Sequence, residues 1–226
     1  MYGEESIQAA VRQRYGEESR SRDHLGCGPA LQAACPAPGE RVLDLGCGNG
    51  EQALAAAAMV GVKGWVTGLD LTPAMIGEAS RRALERGAAN ARFLCGDMAR
   101  IPLPEGSVDL VMSDCAINHA PDKTAVFREA WRVLKKGGRL VISDVMSREP
   151  LPPEVKEDPG VWASCFGGAV TEDEYLAALH RAGFGRVEVL HRREYLKNGY
   201  PFVSLTLRSY KRAEVKDHAS GNQATP

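Results

Sequence analysis

The chain has 226 residues, 44% hydrophobic and 25% charged, ordinary usage for a globular domain that excludes collagen, coiled coil or bulk disorder. Lys and Arg number 28 against 29 Asp and Glu, a net charge of −1, so no global positive field argues for a nucleic-acid partner. No apolar run approaches the roughly 20 residues of a membrane span, and Met1-Tyr2-Gly3-Glu4-Glu5 lacks the basic start and apolar stretch of a signal peptide. The expectation is a soluble, cytoplasmic, monomeric protein with one folded domain at about residues 41–210, an N-terminal segment or lid at 1–40 and a polar, disordered tail at 211–226.

The first residues are polar, with Ser6 to Tyr15 a short helix. A turn-rich stretch follows, from Gly26-Cys27-Gly28-Pro29 to Pro36-Ala37-Pro38-Gly39. Arg41 to Leu45 is a short apolar strand, and the Ala-rich Glu51 to Val60 a buried helix. Gly64 to Leu69 is the next strand. Thr72-Pro73 opens a helix that runs to about Arg86 and closes at Gly87. Ala91–Cys95 and Ser107–Ser113 are strands. Pro121–Lys136 is a helix whose Phe127, Ala130, Trp131 and Leu134 share one face, with Lys135 and Lys136 in its last turn. Arg139–Val145 is a strand, and a Pro-rich connection leads to Thr171-x-x-Glu174, a capping box for a helix ending at Gly183. Arg186–Arg193 and Tyr200–Ser209 are strands close enough to pair antiparallel. Alternating strands and helices make the class α/β, with a mostly parallel, doubly wound sheet. Leu43, Leu45, Val66, Leu69, Val111, Leu140 and Ile142 should be buried, because parallel strands are covered on both faces.

The sharpest local signal is Val42-Leu43-Asp44-Leu45-Gly46-Cys47-Gly48-Asn49-Gly50. A strand ends, glycines let the backbone approach a ligand, and a helix begins. Glu51 stands where a dinucleotide fingerprint needs its third glycine. Asp44 just before the loop suits a cationic group better than a pyrophosphate. Asp70 ends the second strand, 26 residues after Asp44, where an acidic side chain can take both hydroxyls of a ribose. Leu71 follows it. The third strand ends in Cys95-Gly96-Asp97-Met98, with Asp97 placed for an adenine amino group and Met98 for the ring. The fourth ends in Met112-Ser113-Asp114-Cys115. Each carboxylate taken singly reads equally well as a loop or helix cap.

Together these motifs resemble the class I S-adenosylmethionine-dependent methyltransferases over about residues 40 to 145. The resemblance implies a Rossmann-like, seven-stranded sheet with one antiparallel strand, and a cofactor site at Asp44, Gly46, Cys47, Gly48, Gly50, Asp70, Leu71, Asp97, Met98 and Ser113. The runs Ser113-Asp114-Cys115-Ala116-Ile117-Asn118-His119-Ala120-Pro121-Asp122-Lys123, Val126 to Leu134, Ser143-Asp144-Val145 and Trp162-Ala163-Ser164-Cys165-Phe166-Gly167-Gly168-Ala169 further resemble the arsenite methyltransferases. That resemblance covers about Arg12 to Arg208. It implies that Cys115, Cys165 and, on the weaker Gly26-Cys27-Gly28 match, Cys27 are thiolate ligands of trivalent arsenic. It also implies S-adenosylmethionine as methyl donor, a thiol reductant such as glutathione or thioredoxin, and a detoxifying activity on arsenite or methylarsenite. The chemistry agrees: soft, thiophilic arsenic selects thiolates and keeps a lone pair, so the reaction needs in-line positioning more than a general base.

The chain departs from the family pattern in two places. Many members continue into a further C-terminal domain, and an apolar residue is common where His119 stands. His119 reads here as a surface or cap histidine. Cys35 reads as a loop thiol, Cys47 as structural, and Cys95 as a packed strand residue. The alternatives are a class I methyltransferase for a small organic O, N or C acceptor, with the cysteines incidental, and a metalloid-binding protein without turnover. A hydride-transferring dehydrogenase is disfavoured by Glu51 and by the lack of a Tyr-x-x-x-Lys pair.

Overall fold

The computed structural model describes residues 4–19, 29–156 and 158–212. Cys27, with the Gly-Cys-Gly element around it, and the tail from 213 onward lie outside the described residues. Helix α1 (Glu4–Glu18) and the short α2 (Ala30–Ala34) precede the first strand. The alternating part then runs β1 (Arg41–Leu45), α3 (Glu51–Val60), β2 (Trp65–Asp70), α4 (Pro73–Glu85), β3 (Ala91–Cys95), β4 (Val108–Asp114), a one-turn 3-10 helix at Ile117–His119, α5 (Lys123–Val133) and β5 (Leu134–Ser147). Two short helices, α6 (Pro153–Lys156) and α7 (Pro159–Ala163), lead to α8 (Glu172–Arg181), β6 (Val187–Lys197) and β7 (Tyr200–Tyr210).

The seven strands form one sheet in the order β3-β2-β1-β4-β5-β7-β6. All pairs from β3 to β5 are parallel, and β7 runs antiparallel to both β5 and β6. This is the doubly wound sheet with one antiparallel strand that the sequence implied. The order reverses between β1 and β4, and the C-terminal side of such a switch point is where open α/β sheets bind ligands. Leu43, Leu45, Val66, Leu69, Val111, Leu140 and Ile142 are all buried. One apolar layer joins β4, β5 and β7 to α5 and α8, and the other packs α3 on β1, β2 and β4.

Several boundaries differ from the sequence pattern for physical reasons. Helix α5 begins two residues later than Pro121, because the Asp122 carboxylate caps it by accepting from the Ala125 amide at 3.0 Å. It ends at Val133, not Lys136. The carbonyls of Arg132 and Val133 are taken by the amides of Gly106 and Ser107, and Leu134 turns extended. Lys135 and Lys136 therefore open β5. The capping box at Thr171 and Glu174 is present as expected. Lys211, assigned to a loose tail, is instead buried, its ammonium donating to the Leu134 carbonyl at 2.9 Å. Cys95, expected to pack, is exposed. Among the described residues no helix is long and apolar enough to cross a membrane.

Candidate active site

The ends of β1, β2, β3 and β4 and the inner side of α1 enclose a cleft of about 960 Å³, the open mouth included. Its floor is the glycine loop. Gly46 has φ +71°, and a Cβ there would stand 2.1 Å from the Ala116 Cβ, so only glycine lets the loop touch the turn after β4. Gly48, Cys47 and Asn49 line the cleft, but Gly50 does not. Gly50 instead lets α3 close onto Ala79 and Phe93, where a Cβ would come within 2.9 and 3.0 Å.

Acidic groups surround this floor. Asp44 is buried on the cleft wall, and its Oδ2 has no hydrogen-bond partner. Burial first, then the neighbouring charges of Asp114 and Asp70, push its carboxyl up to about 8. A buried carboxylate with a vacant oxygen, among other carboxylates, fits an ammonium or sulfonium and repels a phosphate. Asp70 has its two oxygens on the amides of Gly48 and Thr72, each at 2.9 Å, so it pins the glycine loop to the start of α4. Asp70 also lines the cleft. Asp97 accepts from the Ala99 amide at 2.8 Å and from Gln8 of α1 at 3.2 Å, with Met98 beside it. Leu71 lines the same wall. Ser113, predicted as a cofactor contact, is wholly buried and donates to the Leu45 carbonyl at 2.9 Å, stitching β4 to β1. Its neighbour Asp114 faces the cleft instead and accepts from Gln52 at 2.6 Å.

At the far end of the cleft lie two of the three predicted thiols. Cys115 lines the wall, and Cys165 sits behind it, its Sγ 3.3 Å from the Cys115 carbonyl oxygen. Both cysteines are buried and both have left-handed backbones, φ 57° and 70°. Few non-glycine residues adopt that conformation, and such strain concentrates at working sites. His119 contradicts the surface reading. Its Nε2 lies 3.1 Å from Cys165 Sγ and 3.0 Å from the Tyr15 hydroxyl. Hydrogen bonding with Cys115, opposed by burial and reinforced by His119 and Tyr15, holds the Cys165 thiol well below its usual value. Burial alone would lower His119, but the charge and hydrogen bond of Cys165, with Asp144 and Asp70, outweigh it and raise the imidazole. The pair therefore favours thiolate and imidazolium. Tyr15, Gln8 and His119 were missed as site residues. Nothing in the sequence spacing brings α1 over this cleft, and a histidine in a loop carries no periodic signal.

Among the described residues, no group of three His, Cys, Asp or Glu is placed to hold a metal ion. Comparison with known proteins agrees with the geometry. The family profile described as "Methyltransferase domain" matches residues 36–183. The arsenite methyltransferase of Halobacterium salinarum is 43% identical over 170 residues, which are 75% of this chain and 44% of that protein. The crystal structure of CrArsM, an arsenic(III) S-adenosylmethionine methyltransferase from Chlamydomonas reinhardtii, is 33% identical with a TM-score of 0.75, over 92% of this chain and 74% of that one. The chain belongs to the arsenite methyltransferase family. It spans about half the length of the curated arsenite methyltransferases it matches. A relative with an organic acceptor in its name, the aklanonic acid methyltransferase DauC of a Streptomyces species, is 35% identical over 66% of this chain and 73% of that protein.

Proposed function

We propose that the protein transfers a methyl group from S-adenosylmethionine to trivalent arsenic held by thiolates, with Cys115 and Cys165 as ligands and Cys27 as a third. The observation that carries this reading is the convergence of Cys115 and Cys165, 50 residues apart in the chain, on one end of the cleft through two left-handed turns. An organic acceptor gives no reason for two buried cysteines in strained conformations at that place. The vacant Asp44 oxygen and the surrounding acids fit the cationic end of the cofactor, with Gly46, Cys47 and Gly48 beneath it. Asp70 and Leu71 would hold the ribose, and Asp97 and Met98 the adenine.

When bound, S-adenosylmethionine supplies an electrophilic methyl on a sulfonium. The protein's own work is capture and aim. Cys165 meets arsenic as a ready thiolate, its proton held on His119. On arsenite the leaving hydroxide takes a proton and departs as water. Arsenic bound to thiolates keeps its lone pair, so no side chain needs to remove a proton from it during methyl transfer. What is required is alignment, and a cleft shielded from competing water by α1. A thiol such as glutathione or thioredoxin serves as exchange ligand and reductant between turnovers, and the product chemistry is that of detoxification.

The test is to incubate the protein with S-adenosylmethionine, glutathione and either arsenite or methylarsenite, and to separate the arsenic species. Methylated arsenicals should form with the wild type and not with Cys115→Ser or Cys165→Ser, while both variants still bind the cofactor. Cys27→Ser should hurt arsenite more than methylarsenite, which needs only two thiolates. Near-normal arsenic methylation by Cys115→Ser would overturn the reading in favour of an organic acceptor.

A further inference from the structure

We infer that Asn118 is a positioning residue, a buried clamp that joins the turn carrying Cys115 to the segment carrying Cys165 and keeps the two thiols convergent on one arsenic atom. The inference rests on the arsenic reading above. Asn118 is wholly buried and does not line the cleft. Its Nδ2 donates to Asp144 Oδ1 at 2.9 Å and to the Val145 carbonyl at 2.6 Å, tying the turn after β4 to the end of β5. The anchor is itself fixed. Asp144 is buried and also accepts from the Val145 amide at 2.8 Å and the Tyr175 hydroxyl at 3.2 Å.

The backbone of the same residue carries the other thiol segment. A Cβ on Gly168 would lie 1.8 Å from the Asn118 carbonyl oxygen, so the Cys165–Gly168 stretch can rest there only because residue 168 is glycine. One residue on, the His119 carbonyl accepts from the Trp162 indole at 3.2 Å, from the helix just before Cys165. Two consecutive carbonyls thus form the platform for the second cysteine, while the Asn118 side chain fixes that platform to the sheet. An amide is the group that does this: it offers two donors from one nitrogen to a carboxylate and a carbonyl. An aspartate would bring a second acceptor against Asp144, and a leucine would supply neither donor. Cys115 and Cys165 hold disfavoured left-handed conformations, which persist only where the surroundings over-determine them. A bridging atom must reach both sulfurs, so a small drift of either turn costs capture without removing a thiol.

The probe is phenylarsine oxide, a trivalent organoarsenical that binds firmly only to paired thiols. Bound by the full-length wild type, it should lose at least tenfold in affinity to Asn118→Ala. The melting temperature with S-adenosylmethionine and the extent of iodoacetamide labelling at Cys115 and Cys165 should stay at wild-type levels. Asn118→Ser, which keeps one donor, should fall between. In a Cys165→Ser background, Asn118→Ala should add no further loss, the non-additivity expected of residues acting through one another. A wild type that does not bind the probe would sink the arsenic reading itself. Wild-type affinity in Asn118→Ala, or a loss that persists in full in the Cys165→Ser background, would overturn the clamp. So would loss of thiol labelling in step with loss of capture in Asn118→Ser, since the residue would then be merely structural.

Discussion

Replacing His119 by alanine should raise the pKa of Cys165. The imidazole Nε2 lies 3.1 Å from Cys165 Sγ, and the cysteine is buried, so solvent does little to screen the contact. A hydrogen bond to a charged group contributes about 1.5–3 kcal/mol, and the lower end applies to the one that His119 makes. The largest cause of the lowering is hydrogen bonding with Cys115, and Tyr15 adds its hydroxyl; both survive the substitution. The assay is the rate of iodoacetamide alkylation of the Cys165 peptide against pH, followed by mass spectrometry. The inflection in His119→Ala should move to higher pH, and the Cys115 profile should move less. Arsenic capture measured near neutral pH should slow accordingly, because less of the Cys165 population is thiolate there. Superimposable Cys165 profiles in the two proteins would refute the reasoning and return His119 to a bystander role.

Further outcomes follow from the cofactor end and the glycine contacts. Asp44, pushed up to about 8, is neutral at lower pH and must lose its proton to pair with a cation. S-Adenosylmethionine affinity should therefore strengthen as pH rises toward about 8, with proton release visible as buffer-dependent binding heat; Asp44→Asn should bind weakly with no such dependence. Asp70→Ala should weaken cofactor binding at least tenfold, from charged hydrogen bonds of about 1.5–3 kcal/mol each. It should also lower the cofactor-free melting temperature, because the Gly48 and Thr72 amides lose their acceptor. Gly168→Ala should impair arsenic capture while leaving cofactor titrations unchanged, because its Cβ would strike the Asn118 carbonyl and not the glycine loop.

The parts legible in the sequence are those with a local cause. The glycine loop, the Thr171 capping box and the strand apolar runs each declare themselves within a few residues, and each lies where expected. That Asp44, Asp70 and Asp97 share one cleft was legible for the same reason: they sit close to strand ends, and the fold brings successive ends together. Ser113 and Gly50 show the limit. Both lie in the right stretch of sequence, but a strand alternates its faces, and Ser113 points to β1 while Asp114 meets the cleft. The early end of α5 was also hidden, because the partners of its last carbonyls, Gly106 and Ser107, lie more than 20 residues upstream.

The thiol end was harder, since its chemistry depends on groups brought from three distant stretches. Tyr15 comes from α1, His119 from the turn after β4, and Cys165 from the segment after α7; their contacts span 104 and 150 positions from Tyr15. None of these segments builds the parallel half of the sheet or the glycine loop. That separation has a consequence for how one fold serves different acceptors. The carboxylates proposed for the cofactor, Asp44, Asp70 and Asp97, lie on or just after β1 to β3, whereas the thiols sit on connections leaving β4 and β5. If the thiols bind the acceptor as proposed, a change confined to those connections would alter what is methylated while the carboxylates of the cleft stay in place. Similarity to an arsenite methyltransferase and to the aklanonic acid methyltransferase DauC within one chain is then expected. On the proposed function, the acceptor end is marked not by the glycine loop but by the pair of left-handed cysteines at 115 and 165, together with the asparagine and glycine that hold their turns against each other.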